Sequence, residues 1–481
     1  MTSNTTVAIP LSWSALQNRD GQAGRRAPIR IVHLGLGAFH RAHQAWFTDQ
    51  CDPNAEWGIA AFTGRSPRVA ELLAPQDGLF HLVERSATGD RITVVRSIVE
   101  AWDGGRLDRL IPLIAAKLTA IVTMTITEAG YRLTADGTPD QNDEVMARDV
   151  AWLDARLTAA KLEYSDDGPT TPLGRLLLGL EARRRNESGP IAIVPCDNMP
   201  RNGHLVESGL LALADRASVT TARWIRANVS FVSTSVDRIT PATTPADLEL
   251  VTAATGWIDG APVVTEPFRD WVLSGTFPAG RPQWENGGAL FVEDVEPFEQ
   301  RKLWLLNGAH SLLAYAGIAL GHLTVASAIA DERCREWVTE FWQEARRQLP
   351  IAAAELDAYC VALLDRFENV RIEHRLSQIA IQGVAKLRIR VAPIAIAERQ
   401  AGRSAEGCAR AIGAWIALLI GGRDLVDLDS AKIARALALR PDEVVQSLLG
   451  LLSETLAMDV GFLELVRSAV SSCNRLPDQS V

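Results

Sequence analysis

The sequence lacks three features that would each assign it to a class of protein. Its six cysteines show no Cys-x-x-Cys spacing, which argues against a zinc knuckle or a disulfide framework and fits a reducing compartment. Its formal net charge is −9 without a long basic run, which argues against nucleic acid or an anionic membrane as partner. The strongest apolar run, Ala411–Ile420, is too short to span a bilayer and predicts a buried helix.

The first residues also lack the basic start and apolar core of a signal peptide. We therefore expect a cytoplasmic protein that binds small molecules and has no membrane segment. With 481 residues, of which 47% are hydrophobic, the chain is long enough for at least two domains with sizeable cores.

A glycine-containing turn follows the first strand pattern. Ile29–Leu34 predicts a strand, Gly35 and Gly37 follow it, and Gln44–Gln50 predicts a helix. The two glycines stand where a dinucleotide-binding fold needs a tight turn and a close backbone approach to pyrophosphate at a helix N-terminus. Because His40 occupies the place of the third glycine, an ordinary tight turn remains an alternative.

The next predicted strand, Trp57–Phe62, ends where a dinucleotide fold recognises the adenosine ribose. An acidic residue there favours NAD, whereas an arginine such as Arg65 can pair with the 2′-phosphate of NADP. A solvated turn arginine is the alternative interpretation, so the choice between NAD and NADP stays open.

Polar residues follow three further predicted strands. Ligands collect at the carboxyl ends of parallel strands, although Asn and Asp also form ordinary turns. The first of the three strands is a near-continuous apolar and β-branched run, as expected of a strand buried on both faces of a sheet. The strands and the residues that follow them are Leu118–Thr127 with Glu128, Ile191–Pro195 with Asn198, and Asn228–Val232 with Asp237.

The stretch Phe298–Leu313 predicts one helix that presents four polar side chains. At about 100° per residue, Glu299, Lys302, Asn307 and His310 fall within an arc of about 140°. An amine that acts as a base near neutral pH needs desolvation or a nearby positive group, and an amide beside it can donate to a developing oxyanion. Lys302 and Asn307 supply that pair, with a solvated helix face as the alternative.

These motifs, in this order, resemble the polyol-specific long-chain dehydrogenases, a family that includes mannitol 2-dehydrogenase, arabinitol dehydrogenase and fructuronate (mannonate) reductase. The resemblance spans roughly residues 29 to 390. It rests on Gly35–His43, Thr125–Tyr131, Cys196–Pro200, Val236–Pro241 and the helix Phe298–Leu313.

The resemblance implies an α/β protein with two domains and no catalytic metal. We expect a Rossmann-type nucleotide-binding domain over residues 1–290 and a predominantly α-helical domain over residues 291–481. Helical apolar spacing in the second half agrees with this expectation. It occurs in Arg333–Arg347, Ala352–Phe367, Ala405–Ile420 and Leu437–Gly461, the last interrupted by Pro441.

The resemblance also implies roles for individual residues. In the chemistry, the general base is Lys302, the oxyanion-stabilising amides are Asn198 and Asn307, the substrate-orienting histidine is His310, the active-site acid is Asp237, and the carboxylate that helps the proton reach solvent is Glu299. The expected cofactor is NAD, with NADP open. The expected cofactor-binding residues are Gly35, Gly37, Ala38, Phe39, His40, Arg41, Arg65 and Glu128.

The resemblance implies Arg375, Gln378 and Lys386 as the substrate-binding residues, and these look closer to the fructuronate reductase pattern. The usual Asp-Gly-Ser before Lys386 is here Gln382-Gly383-Val384, and some mannitol-type members carry arginine at the place of Gln378. We predict an enzyme that interconverts a secondary alcohol of a linear polyol and the corresponding ketose. The alternatives are a hexuronate or aldonate reductase and a non-catalytic nucleotide sensor. We expect a monomer or small homo-oligomer.

Overall fold

The computed structural model describes residues 8–20, 24–134, 136–164 and 167–474. Contacts divide the chain into two compact units, one ending at Glu296 and the other beginning at Pro297. Residues 291–296, which the sequence placed in the second domain, therefore lie in the first unit. Among the described residues, no helix combines the length and the apolar character that crossing a bilayer requires.

The first unit is built on a parallel sheet of strands buried on both faces. Its described strands are β1 Ile9–Pro10, β2 Ile29–Leu34, β3 Gly58–Phe62, β4 Phe80–Ser86, β5 Gly89–Val95, β6 Ile98–Trp102, β7 Ile121–Met124, β8 Ile191–Pro195, β9 Val229–Phe231, β10 Ser233–Asp237, β11 Trp257–Ile258, β12 Val263–Thr265, β13 Asp270–Ser274 and β14 Leu290–Phe291. In β2, Ile31 belongs to the core on one face of the sheet and Val32 to the core on the other. This alternation produces the continuous apolar pattern of the sequence.

Helices accompany these strands in the order expected of an α/β fold. They are α1 Trp13–Asp20, α2 Ala38–His40, a first π segment Arg41–Ala45, α3 Trp46–Cys51, α4 Arg68–Leu73, α5 Leu107–Ile114, α6 Glu128–Tyr131, α7 Glu144–Arg156, α8 Pro172–Arg185, α9 Asn202–Ala217, α10 Val219–Asn228 and α11 Pro245–Thr255. Short 3₁₀ turns cover Ala74–Gln76 and Trp284–Gly287.

The main sheet has the strand order β6-β3-β2-β7-β8-β9, with every neighbouring pair parallel. This is the order of a Rossmann fold. Successive strands are added to one side of β2 as far as β6, and then to its other side from β7 onwards, so the strand order reverses between β2 and β7. Ligands of such sheets bind outside the carboxyl ends of the strands at that reversal. A smaller sheet, β10-β13-β14, begins with β10 directly after β9.

Several predicted bounds agree with the structure and others were wrong. β2 and β8 have the predicted bounds. The run Leu118–Thr127 contains only four strand residues, and Leu118 is 64% exposed. β10 was missed because its buried side chains Ser233, Thr234 and Ser235 are polar and resemble a loop.

The second unit is helical among its described residues. Its helices are α12 Glu296–Arg301, a second π segment Lys302–Gly308, α13 Ala309–Ala319, α14 Val325–Ala330, α15 Glu332–Arg346, α16 Ala353–Phe367, α17 Leu376–Ile379, α18 Gly383–Arg390, α19 Ala392–Gln400, α20 Glu406–Ile420, α21 Ser430–Leu437, α22 Pro441–Leu452, α23 Glu454–Met458 and α24 Val460–Asn474. Helix α20 is buried from Gly407 to Leu419 except at Arg410, and it packs on α13, α15 and α24. The predicted buried helix at Ala411–Ile420 is thus confirmed.

Candidate active site

Gly35 makes the tight turn after β2. Its φ is +107°, and a Cβ there would lie 2.3 Å from the Thr125 carbonyl oxygen. Its amide donates to the carbonyl of Phe62, the last residue of β3 (2.9 Å), and this hydrogen bond fixes the turn beside β3. Only glycine fits a backbone that is both left-handed and this close to a neighbouring strand.

Gly37 differs from Gly35, because its Cβ position is open. A Cβ there would meet only the Gly35 carbonyl oxygen, at an ordinary 3.6 Å. Gly37 is the extended residue that precedes α2, so the amides of Ala38 and Phe39 lie in the first turn of a helix that continues to Cys51. An open glycine at a helix N-terminus fits the close approach of a pyrophosphate. The helix begins six residues before the predicted Gln44.

The side chains of His40 and Arg41 are buried behind this turn. His40 stacks on His33 with ring centroids 3.3 Å apart, and burial lowers the pKa of His40 well below its ordinary value. Arg41 donates to the carbonyl oxygens of Gly37 (3.2 Å) and Ala261, and burial lowers its pKa to about 10. Because the side chains of His40 and Arg41 support the turn from behind, we expect the backbone amides of the first helical turn to contact a cofactor.

Arg65 and Glu128 follow the two strands that flank β2. Both side chains are exposed, Arg65 after β3 and Glu128 at the start of α6 after β7. Since the carboxyl ends of parallel strands share one edge, both residues belong to the edge that carries Gly35 and Gly37. Their cofactor contacts remain predictions.

Asn198 lies on the same edge, in the loop just after β8. Side-chain hydrogen bonds that the sequence did not predict hold this loop in place. The Tyr131 hydroxyl donates to Asp197, and the Asn202 amide donates to the Asp197 carbonyl (3.2 Å) and the Thr234 carbonyl (3.0 Å). Burial raises the pKa of Asp197 to about 6. Tyr131 and Asp197 both lie in the motifs quoted above, but no spacing rule pairs them.

Asp237 is the last residue of β10 and pairs in register with Asp270 of β13. The next residue, Arg238, was missed by the sequence analysis although it anchors this corner. Its guanidinium is buried and donates to Glu84 (2.7 Å) and to the carbonyls of Ala42 (2.6 Å) and Glu266 (3.0 Å). Arg238 thus ties β10 to the first π segment.

In the second unit, the helix predicted from Phe298 to Leu313 is continuous, but Lys302–Gly308 is π-helical rather than α-helical. At 100° per residue, Lys302 and Asn307 mark the two extremes of the predicted arc, about 140° apart. Hydrogen bonds of the i→i+5 type bring residues five apart onto successive turns of one face. The α-helical geometry assumed for Lys302–Gly308 was therefore wrong. The shared face of Lys302 and Asn307 stays a prediction, which the i→i+5 bonding favours. Glu299 is half-buried in the preceding turn.

His310 is the second residue of α13, the α-helix after this segment, and is buried among aromatic and cationic groups. Its ring lies 4.9 Å from those of His374 and Phe367. Burial lowers the pKa of His310 well below its ordinary value, and His374, Arg366, Arg390 and Lys386 lower it further. A neutral His310 can donate and accept hydrogen bonds but is not a cation.

The three predicted substrate-binding residues do not share one environment. Lys386 on α18 belongs to the cationic group around His310, its ammonium donates to the Ile379 carbonyl (2.8 Å), and burial lowers its pKa to about 8. Arg375 is exposed, pairs with Glu373 (2.7 Å), and lines a cleft of about 640 Å³ whose described lining does not include Lys302, Asn307 or His310. Gln378 on α17 is exposed.

Comparison with known proteins assigns both units. Residues 29–286 match the mannitol dehydrogenase Rossmann domain, and residues 294–469 match the mannitol dehydrogenase C-terminal domain. D-mannonate oxidoreductase of Escherichia coli is 34% identical over 431 residues, covering 86% of this chain and 82% of that protein. Mannitol 2-dehydrogenase of Emericella nidulans is 32% identical over 467 residues, covering 92% and 90%.

A solved structure agrees with these matches. Mannitol 2-dehydrogenase of Pseudomonas fluorescens, in a ternary complex with NAD and D-mannitol, aligns with a TM-score of 0.72 at 28% identity and covers 98% of this chain and 95% of that one. The predicted fold class, a Rossmann-type domain followed by a helical domain, is confirmed. The chain belongs to the mannitol dehydrogenase family.

Proposed function

We propose that this protein is an NAD(P)-dependent oxidoreductase that interconverts a secondary alcohol of a linear polyol and the corresponding ketose. The observation that carries the proposal is the second π segment, Lys302–Gly308, because i→i+5 bonding favours one shared face for two residues five apart, as Lys302 and Asn307 are. The two mannitol 2-dehydrogenases above support the substrate class, and the Pseudomonas complex supports NAD.

The residues present in the first unit fit a dinucleotide. Gly37 leaves space at a helix N-terminus, and the amides of Ala38 and Phe39 follow it. Arg65 and Glu128, at the ends of the flanking strands, are the proposed contacts to the adenosine half. When bound, the nicotinamide accepts or supplies the hydride.

In the proposed chemistry, the Lys302 amine accepts the substrate hydroxyl proton during oxidation and returns it during reduction. The Asn307 amide donates to the oxygen as it gains negative charge, and Asn198 and Asp237 keep the roles predicted from the family. Glu299 precedes Lys302 by three residues, a spacing at which a carboxylate can exchange the proton with the amine. Neutral His310 orients a substrate hydroxyl by hydrogen bonding.

A hexuronate or aldonate is the second candidate substrate class. The cationic group around His310, formed by Arg366, Arg390 and Lys386, favours it, because a carboxylate gains charge-assisted hydrogen bonds that a neutral polyol cannot form. The Escherichia coli D-mannonate oxidoreductase supports the same class. Gln378 and Arg375, both exposed, would then contribute less than Lys386.

The test is a substrate panel followed through the absorbance of reduced nicotinamide. Mannitol, arabinitol, sorbitol and mannonate are each offered with NAD and with NADP, and the matching ketoses and fructuronate with the reduced cofactors. We expect turnover of at least one polyol and its ketose. If the protein binds the cofactor but turns over no member of the panel, it is a nucleotide sensor and the proposal fails.

The pH dependence of KM separates the two substrate classes. Burial lowers the pKa of Lys386 to about 8, so its positive charge is present below that pH and lost above it. If Lys386 binds a carboxylate, KM for mannonate rises as pH passes 8, while KM for mannitol does not. Parallel KM profiles for both substrates, in the protein and in a Lys386→Met variant, would support the neutral polyol.

We also propose that the protein acts in the cytoplasm as a monomer or small homo-oligomer. Light scattering coupled to size-exclusion chromatography measures the oligomeric state directly. A large or open-ended assembly would contradict this part of the proposal.

A further inference from the structure

The second π segment has a backbone requirement that an α-helix does not have. Where i→i+5 bonding returns to i→i+4 bonding, one backbone carbonyl is left without an amide partner inside the helix. Leu305 and Leu306 of this segment are buried, so water cannot readily satisfy such a carbonyl there. A donor from another element must therefore meet it.

Trp342 of helix α15 supplies that donor. Its indole Nε1 donates to the Leu305 carbonyl oxygen at 2.7 Å, and the residue is only 4% exposed. Indole has one N–H and no acceptor, so the hydrogen bond has a fixed direction. The bond holds the Leu305 carbonyl oxygen, which lies between Lys302 and Asn307 in the chain.

Three further contacts hold the carboxyl end of the π segment. The Asn307 carbonyl accepts from Arg390 Nη1 (3.2 Å) and from Ser311 Oγ (3.1 Å). Gly308 lies against Phe341, the residue before Trp342, so closely that a Cβ would come within 2.6 Å of the ring. Helices α15 and α18 thus brace the segment that presents the proposed base and amide.

We propose that Trp342 is a positioning residue that holds Lys302 and Asn307 on one face by stabilising the π turn. The inference rests on the proposed function only for the roles of Lys302 and Asn307. Without the indole donor, i→i+4 bonding becomes the more stable arrangement of the segment. The return to it shifts the helical register by one residue, which rotates Asn307 by about 100° relative to Lys302. The amide would then no longer lie beside the base.

The test compares Trp342→Phe with Trp337→Phe. Both residues lie on α15, but Trp337 is half-buried and its ring contacts Arg410 instead of the π segment. We expect Trp342→Phe to lower kcat for alcohol oxidation by about 10- to 100-fold, the size of effect that small misplacements produce. Binding of NAD should be unchanged, and Trp337→Phe should match the unmodified protein.

Two measurements distinguish positioning from a general loss of packing. Hydrogen exchange of the amides of residues 302–309 should change in Trp342→Phe and not in Trp337→Phe. In an Asn307→Ala background, Trp342→Phe should lower kcat little further, since the two changes remove the same interaction. Full additivity of the two losses, or unchanged kcat and exchange in Trp342→Phe, would overturn the inference.

The outcomes also separate this inference from the proposed function. If Lys302→Ala and Asn307→Ala abolish turnover while Trp342→Phe does not affect it, the function stands and the positioning role fails. If Lys302→Ala retains turnover, the proposed role of Lys302 as the base fails, and if the unmodified protein turns over no substrate, the proposed function fails. In both cases the exchange measurement still reports whether Trp342 stabilises the π turn.

Discussion

Each unit has a π segment within a longer helix, Arg41–Ala45 in the first unit and Lys302–Gly308 in the second. The two segments differ in how much of their side chains is exposed to solvent. All five residues of the first segment, Arg41–Ala45, are buried. In the second segment, Lys302, Leu303, Trp304 and Asn307 are half-buried. In both, side chains from elsewhere meet backbone carbonyls, for example Arg238 at Ala42 and Trp342 at Leu305.

The comparison gives one backbone feature two uses, packing in the first unit and, in the function we propose, chemistry in the second. In the first segment, the inward side chains of Arg41, His43 and Gln44 bond to backbone or to each other. In the second, the polar side chains Lys302 and Asn307 keep contact with solvent. Changes around the first segment should therefore affect stability or cofactor binding, and changes in the second should affect rate.

The largest effect is expected for Arg238→Ala. It removes the donor to the Ala42 carbonyl and leaves the Glu84 carboxylate, 7% exposed, without its buried partner. Breaking a buried ion pair in this way costs about 3–5 kcal/mol. Urea unfolding should show this loss, with Arg269→Ala, an exposed arginine over the same Trp46 ring, as the control. Equal urea midpoints for the two variants would contradict a structural role for the first π segment.

Asn307→Ala tests the opposite side of the comparison. The amide should act on the transition state, so kcat should fall by about 10²- to 10³-fold, as when one oxyanion donor is removed. The midpoint of unfolding and the Kd of NAD should stay close to those of the unmodified protein. If Asn307→Ala lost stability but kept its kcat, Asn307 would have a packing role, as the residues of the first segment do.

Gly37→Asp should act on the cofactor alone. Since a Cβ at Gly37 meets only one atom at 3.6 Å, the variant should fold, but its carboxylate would enter the space and field intended for pyrophosphate. Calorimetry should show NAD affinity lowered by at least about tenfold. Gly35→Ala is the contrasting variant, because its Cβ would meet a backbone oxygen at 2.3 Å and should prevent the native turn. Unchanged affinity in Gly37→Asp would move the nucleotide site elsewhere.

The smallest effect is expected for Arg65→Ala. An exposed arginine that pairs with a 2′-phosphate should contribute about 1 kcal/mol, so NADP affinity should fall about fivefold while NAD affinity stays the same. Titration with both cofactors measures this difference. Equal changes for NAD and NADP would make Arg65 a surface residue without a role in selection.

The sequence predicted elements whose pattern is local and missed those that depend on tertiary contacts. Ile29–Leu34 and Ile191–Pro195 were correct because buried parallel strands form short apolar runs between turn residues. The π segments could not be predicted, since apolar spacing along Phe298–Leu313 fits an uninterrupted α-helix. The Tyr131–Asp197 contact, the anchor at Arg238 and the donor at Trp342 join residues far apart in the chain, which periodicity does not report.

The roles of the individual site residues are the part of the account that similarity leaves to experiment, and Lys302 is central to it. The most direct measurement is the pH dependence of kcat for polyol oxidation in the unmodified protein and in Lys302→Ala. We expect the unmodified rate to rise with pH as the ammonium loses its proton and then to level off, with the opposite trend for ketose reduction. Lys302→Ala should be slower by about 10²- to 10⁴-fold, without that titration, while still binding NAD. A variant that kept most of its rate with the same pH profile would contradict the assignment of this helix as the catalytic one.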